Sequence, residues 1–148
     1  MKSKIMPPTY FYMFLLLLIG LHFVFPIKKI IFLPYSYLGI IFLVIGIILN
    51  IWSDYLLKKK KTTVKPYENP TELIVSGPFA VSRHPMYLGM MFILLGIAVF
   101  LGSLITFIFP PLFVILMEIM FIPFEEKNLE KIFGKKYLNY KKKVRRWI

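Results

Sequence analysis

Residues 86–117 read MYLGMMFILLGIAVFLGSLITFIFPPLFVILM, without one charged side chain. A helix crosses a bilayer in about 20 apolar residues, so this run is too long for one crossing. Gly102-Ser103, near its middle, supplies a tight turn. The run therefore predicts a helical hairpin, with one helix opening at Pro85 and running to about Leu101, and another from there to about Phe121. Two more apolar runs lie upstream. One covers about 9–25 and is ended by Pro26, Lys28 and Lys29; the other covers about 35–57 and is stopped by Lys58, Lys59, Lys60 and Lys61. The expected fold is an all-α integral membrane protein with about four transmembrane helices, forming a single domain over 1–148.

Composition agrees. Of 148 residues, 58% are hydrophobic, above the roughly half of soluble domains, and 15 Phe and 9 Tyr suit lipid-facing and interfacial positions. The net charge is +12, but the cations flank apolar runs, which points to topology and anionic headgroups rather than nucleic acid. With both ends of the chain on the cytoplasmic side, 17 of the 19 Lys and Arg residues, including Lys2 and Lys4, are cytoplasmic, and Lys28 and Lys29 are outside. The positive-inside rule thus favours an N-in, C-in arrangement, in the inner membrane if the cell is prokaryotic. The absence of cysteine excludes disulfides, Cys-ligated metals and a thiol nucleophile. With only His22 and His84 as imidazoles, no metal site is expected. The first apolar run follows two lysines, as in a signal peptide, but no small-residue cleavage site follows it, so it is read as a retained helix.

Between the second and third runs, residues 62–82 are broken up by Pro66, Pro70, Gly77 and Pro78 and are read as an ordered loop over the membrane surface, with Leu73-Ile74-Val75 suited to a short extended piece. The tail from Glu125 carries Leu129, Phe133, Tyr137, Tyr140, Val144 and Trp147 at three- or four-residue spacing with lysines between, which predicts a basic amphipathic helix at the membrane interface, interrupted at Gly134. Gly39 and Gly46, and Gly89 and Gly96, each share one helix face and read as close-packing positions. His22 reads as a helix-packing hydrogen-bonder.

Three groups of residues carry chemistry. Arg83-His84-Pro85 stands where the third helix starts, and proline suits a first helical turn. The free N–H groups there, the helix dipole and Arg83 favour an anion, with Tyr87 one turn on. The competing reading is an arginine and a tyrosine anchoring the helix at the interface. Glu125-Glu126 follows the last apolar run, where a carboxylate suits an ammonium or a ribose diol; a solvated helix start is the plainer account. Glu118 lies inside the fourth apolar run, where a carboxylate costs several kcal/mol, roughly 2.5–3.5 on insertion scales. It shares a face with Glu125 and is expected either to line the same cavity or to pair with another helix, with Asn50 and Asp54 as candidate partners.

Together, Leu73-Ile74-Val75-Ser76-Gly77-Pro78-Phe79, Arg83-His84-Pro85-Met86-Tyr87-Leu88-Gly89, Glu125-Glu126-x-x-Leu129 and Phe133-Gly134-x-x-Tyr137-x-x-Tyr140 resemble the isoprenylcysteine carboxyl methyltransferase family of integral-membrane enzymes, whose general plan the phospholipid N-methyltransferases share. The likeness covers about 62–147. It implies a methyltransferase using S-adenosyl-L-methionine, with the active site facing the cytoplasm. It also implies a cofactor site made from Thr71, Glu72, Leu73, Ile74, Phe79, Arg83, His84, Pro85, Met86, Tyr87, Glu125 and Glu126. The helix start with His84 suits the cofactor carboxylate, Glu125 its ammonium or ribose, and Tyr87 or Phe79 its sulfonium. In-line methyl transfer draws much of its rate from alignment. No catalytic base is assigned; Glu118 is the one buried candidate.

One position departs from the resemblance. Phe121 stands where the prenylcysteine enzymes place an arginine for the substrate carboxylate, which argues against that acceptor and leaves a lipid amine, a small thiol or another lipophilic acceptor. Two alternatives stand beside the methyltransferase. One is a non-enzymatic membrane protein that uses its basic tail for lipids or a partner. The other is an NADPH-dependent enzyme of the sterol-reductase type, with Lys58, its three following lysines and Lys65 as the phosphate contact.

Overall fold

The computed structural model describes residues 5–63, 65 and 67–148, so Lys2, Lys4 and Pro66 of the preceding argument lie outside it. The chain is helical, and among the described residues the one β-type pairing is an isolated bridge between Lys29 and Ser103. Leu73-Ile74-Val75 forms no strand. The reason is local: Leu73 and Ile74 turn into two different apolar clusters, leaving no edge for a partner strand.

Among the described residues six α-helices follow one another: α1 (Pro7–Val24), α2 (Leu38–Lys59), α3 (Pro85–Leu101), α4 (Phe109–Met120), α5 (Ile122–Phe133) and α6 (Lys135–Lys143). Proline stands in the first turn of α1, α3, α4 and α5, where its missing N–H costs nothing. Gly102 ends α3 in the left-handed conformation at φ +71°, the turn expected in the hairpin. Gly134, at φ +49°, separates α5 from α6, the interruption expected in the tail.

Among the described residues two helices, Pro7–Val24 and Tyr35–Lys59, are long and apolar enough to cross a membrane. A third crossing forms if Leu104–Met120 and Ile122–Phe133, bent by 41° at Phe121, act as one. Pro85–Leu101 is apolar but, with 17 residues, rises only about 25 Å, just under the hydrocarbon thickness of a bilayer.

The main core lies among α1, α3 and α4, around Leu18, Leu94, Ala98, Phe113 and Met117. Helix α2 stays outside this core and packs along α3 through glycines. A Cβ on Gly39 would come 2.3 Å from the Gly96 carbonyl oxygen, and one on Gly46 would come 2.5 Å from that of Gly89. The two backbones therefore touch, as in membrane helix pairs built on small residues. His22 and Ser103 share a hydrogen bond that ties the end of α1 to the α3–α4 turn.

The tail differs from expectation in where its apolar stripe points. Leu129, Phe133 and Val144 surround buried Leu73, Tyr137 and Tyr140, and Trp147 packs on the main core. The stripe is spent on the protein's own 71–80 loop, because burial there removes it from water as lipid contact would. Lysines occupy the outer side.

Candidate functional site

The motif turn before α3 is built against the end of α2. Gly77 (φ +61°) starts a 3-10 turn over Gly77–Ala80, and a Cβ there would come 2.9 Å from the Leu56 side chain. The turn buries Phe79 beside Leu57 and Ile74. Ser82 Oγ accepts the His84 N–H at 3.2 Å, and Pro85 opens α3. Arg83 and His84 are thereby delivered, buried, to a helix N-terminus.

The bend at Phe121 turns α5 so that Glu125 and Glu126 face that turn. Both are buried, at 6% and 3% exposure. Glu125 accepts the Tyr87 hydroxyl and lies 3.3 Å from His84 Nδ1. The His84 and Tyr87 rings stack, 5.7 Å apart and 8° from parallel. Glu126 takes Arg83 Nη2 at 2.7 Å and both Nε and Nη2 of Arg146, at 3.1 and 2.8 Å. His84 Nε2 is 3.5 Å from Glu126 but not aligned with it, so that buried N–H has no hydrogen-bond partner; neither has Arg83 Nε.

Burial alone would lower the His84 pKa, but the two carboxylates outweigh it and hold the imidazole above its ordinary 6.5. Burial likewise pushes Glu126 upward, and His84, Arg146 and Arg83 together overcome it and bring the carboxyl down to about 2. The site thus carries fixed charges of both signs in a dry setting.

A cavity of about 410 Å³ opens beside this cluster, within the usual range for small-molecule sites. Phe79, Arg83, His84, Pro85, Met86, Tyr87 and Glu125 line it, seven of the twelve residues expected at a cofactor site. The start of α1 (Pro7 and Pro8) and the end of α2 (Asp54 and Leu57) supply opposite walls, and the 62–70 loop and α5 complete it. The other five stand elsewhere. Thr71 donates to the Lys61 carbonyl, and Glu72 pairs with Lys60 at the surface. Leu73 lies under α6, Ile74 lies under Phe79, and Glu126 sits behind Arg83. Among the described residues, no group of three or more His, Cys, Asp or Glu side chains is placed to hold a metal ion.

Glu118 departs from its expected partners. Asn50 donates to the Gly46 carbonyl within its own helix, and Asp54 pairs with Lys58. Glu118 instead accepts Arg146 Nη1 at 2.8 Å and Trp147 Nε1 at 2.7 Å, and it is not among the cavity-lining residues. Phe121 is buried, with its ring edge-on to Tyr10 at 5.6 Å. The guanidinium missing from that helix is supplied to this region from the other end of the tail. Arg146 belongs to no motif in the sequence, where its charge stands as one of the tail's many cations. Its neighbour Trp147, on the apolar stripe, was the available signal that the last residues dock.

The Phospholipid methyltransferase family model matches residues 35–136, more than half of the chain. An uncharacterized protein of Haemophilus influenzae is 38% identical over 63 residues, which are 43% of this chain and all of that protein. No solved structure matches the chain.

Proposed function

This chain belongs to the phospholipid methyltransferase family, and we propose that it transfers the methyl group of S-adenosyl-L-methionine to a lipophilic or small acceptor at the cytoplasmic face of its membrane. The observation that carries the reading is the set of groups on one cavity: two buried cations at a helix N-terminus, each with an unpartnered N–H, a buried carboxylate and two aromatic rings. The cofactor is an amino acid and a nucleoside joined at a sulfonium, and it supplies an electrophilic methyl group.

The residues fit it. Arg83 and His84 line the cavity at the start of α3, where their charge and the helix dipole favour a carboxylate. Glu125, held by the Tyr87 hydroxyl, suits an ammonium or a ribose hydroxyl pair. Tyr87 and Phe79 present ring faces suited to a cation. Leu57, Met86, Met90 and Pro7 make the remaining wall apolar and keep water from the reacting methyl. Thr71, Glu72, Leu73, Ile74 and Glu126 then act from behind that wall by shaping it. Glu118 is engaged by Arg146 and Trp147, so a base role for it draws no support from its surroundings.

The family favours a lipid acceptor, and Phe121 speaks against a prenylcysteine carboxylate. Four crossings with both ends of the chain cytoplasmic would put the cavity on the side where the cofactor is made available.

Calorimetry on detergent-purified protein tests the reading, with S-adenosylmethionine, S-adenosylhomocysteine and NADPH as ligands. Micromolar binding of the first two, lost in Glu125→Ala, is expected. Folded protein that binds neither, or binds NADPH alone, would overturn it.

A further inference from the structure

We propose that Arg146 is a positioning residue for the cofactor site, acting through Glu126 on the Arg83–His84 turn; this rests on the reading above. The last residues form a strap over the motif. The Arg145 carbonyl accepts the Arg83 N–H at 3.0 Å. The Arg146 carbonyl accepts the His84 N–H at 3.3 Å and the Ser82 hydroxyl at 2.8 Å. Arg83 Nη1 reaches back to the Lys141 carbonyl at 3.2 Å. The Arg146 side chain then spans two carboxylates on different helices, Glu126 through Nε and Nη2 and Glu118 through Nη1.

The charges explain why the strap bears on the site. Three carboxylates (Glu118, Glu125 and Glu126) meet two guanidinium groups (Arg83 and Arg146), one imidazole (His84) and, at 3.9 Å from Glu126, the Lys141 ammonium in this cluster. Glu126 is 3% exposed, so its oxygens must be satisfied by protein groups. Arg146 satisfies one lone pair on each oxygen and leaves Arg83 to make a single contact. Without Arg146, Glu126 would draw Arg83 and His84 fully onto itself and shift the turn that lines the cavity. Glu118 would also lose its charge partner. A lysine keeps the charge but cannot fork onto one carboxylate while reaching a second. Arg146 lies beyond the residues matched by the family model, so the matched region alone does not contain this contact.

The test compares full-length wild type, Arg146→Lys and Arg146→Ala in detergent, each with its melting temperature and its calorimetric affinity for S-adenosylhomocysteine. Arg146→Lys is expected to melt near wild type and to bind about tenfold more weakly, and Arg146→Ala on the order of a hundredfold more weakly. Nitrogen resonances of the imidazoles give a readout that general loosening does not move: of the two histidines, only His84 should shift in Arg146→Lys. Wild-type affinity in both folded variants, with His84 unshifted, overturns the proposal while leaving the methyltransferase reading intact. Failure of both variants to fold overturns it too, since the guanidinium would then be holding the fold. No binding by folded wild type defeats the methyltransferase reading and this inference with it.

Discussion

At the residue scale, His84 and Glu126 couple the site to pH in opposite directions. His84 is held above 6.5 in the folded protein, so its pairing with the carboxylates stabilises fully below pH 6.5 and fades as pH rises through the raised value. Glu126 is held down at about 2 from an ordinary 4.5, so its contribution is full above pH 4.5 and fades as pH falls toward 2. Both are complete between pH 4.5 and 6.5. The melting-temperature advantage of wild type over His84→Gln should therefore be largest in that window and shrink as pH rises through the raised value. An advantage that grows as pH rises from 5.5 would show that His84 does not carry charge in the fold. The identities of these side chains were legible in the sequence, as was their likeness to a cofactor site. Which carboxylate takes which cation was not, because Glu125 and Glu126 are adjacent and only the register of α5 separates their partners.

At the element scale, the α2–α3 pair rests on backbone contact. Gly46→Ala places a Cβ 2.5 Å from the Gly89 carbonyl oxygen and forces the helices apart, at a cost of about 1–3 kcal/mol. Gly20, in α1, has nothing within 4 Å of its built Cβ, so Gly20→Ala should be neutral or stabilise by up to about 1 kcal/mol through helix propensity. Thermal unfolding of the two variants in one detergent checks the contrast; equal effects would refute glycine packing as the basis of the pair. Seven-residue glycine spacing made these faces readable in advance. The tail was read less well. Its apolar periodicity was legible, but periodicity reports that a face is buried and not against what, and Leu73 rather than lipid turned out to cover Tyr137 and Tyr140.

At the scale of the whole molecule, charge placement predicts the topology, and the cysteine-free chain offers a clean test. Single cysteines replacing Lys29 and Lys142 should react with a membrane-impermeant thiol reagent from opposite sides, Lys142→Cys from the cytoplasm. Labelling of both from one side would refute the N-in, C-in arrangement. The same scale shows how far apart in sequence the cavity's walls lie. Pro7 opens α1, Asp54 lies near the end of α2, Arg83 precedes α3 and Glu125 sits on α5, all on one cavity.

The amino-acid sequence by itself determined that the chain is helical and apolar, where its main apolar helices lie, and which polar residues stand at their ends. Those follow from local rules: run length, proline and glycine placement, and charge beside apolar segments. Tertiary structure alone decided that Arg146 reaches Glu118 and Glu126, that Glu118 is paired rather than free, and that Thr71, Glu72, Leu73 and Ile74 do not line the cavity. Those depend on how α5 bends at Phe121 and how the tail folds back, which are set by packing between segments far apart in the chain.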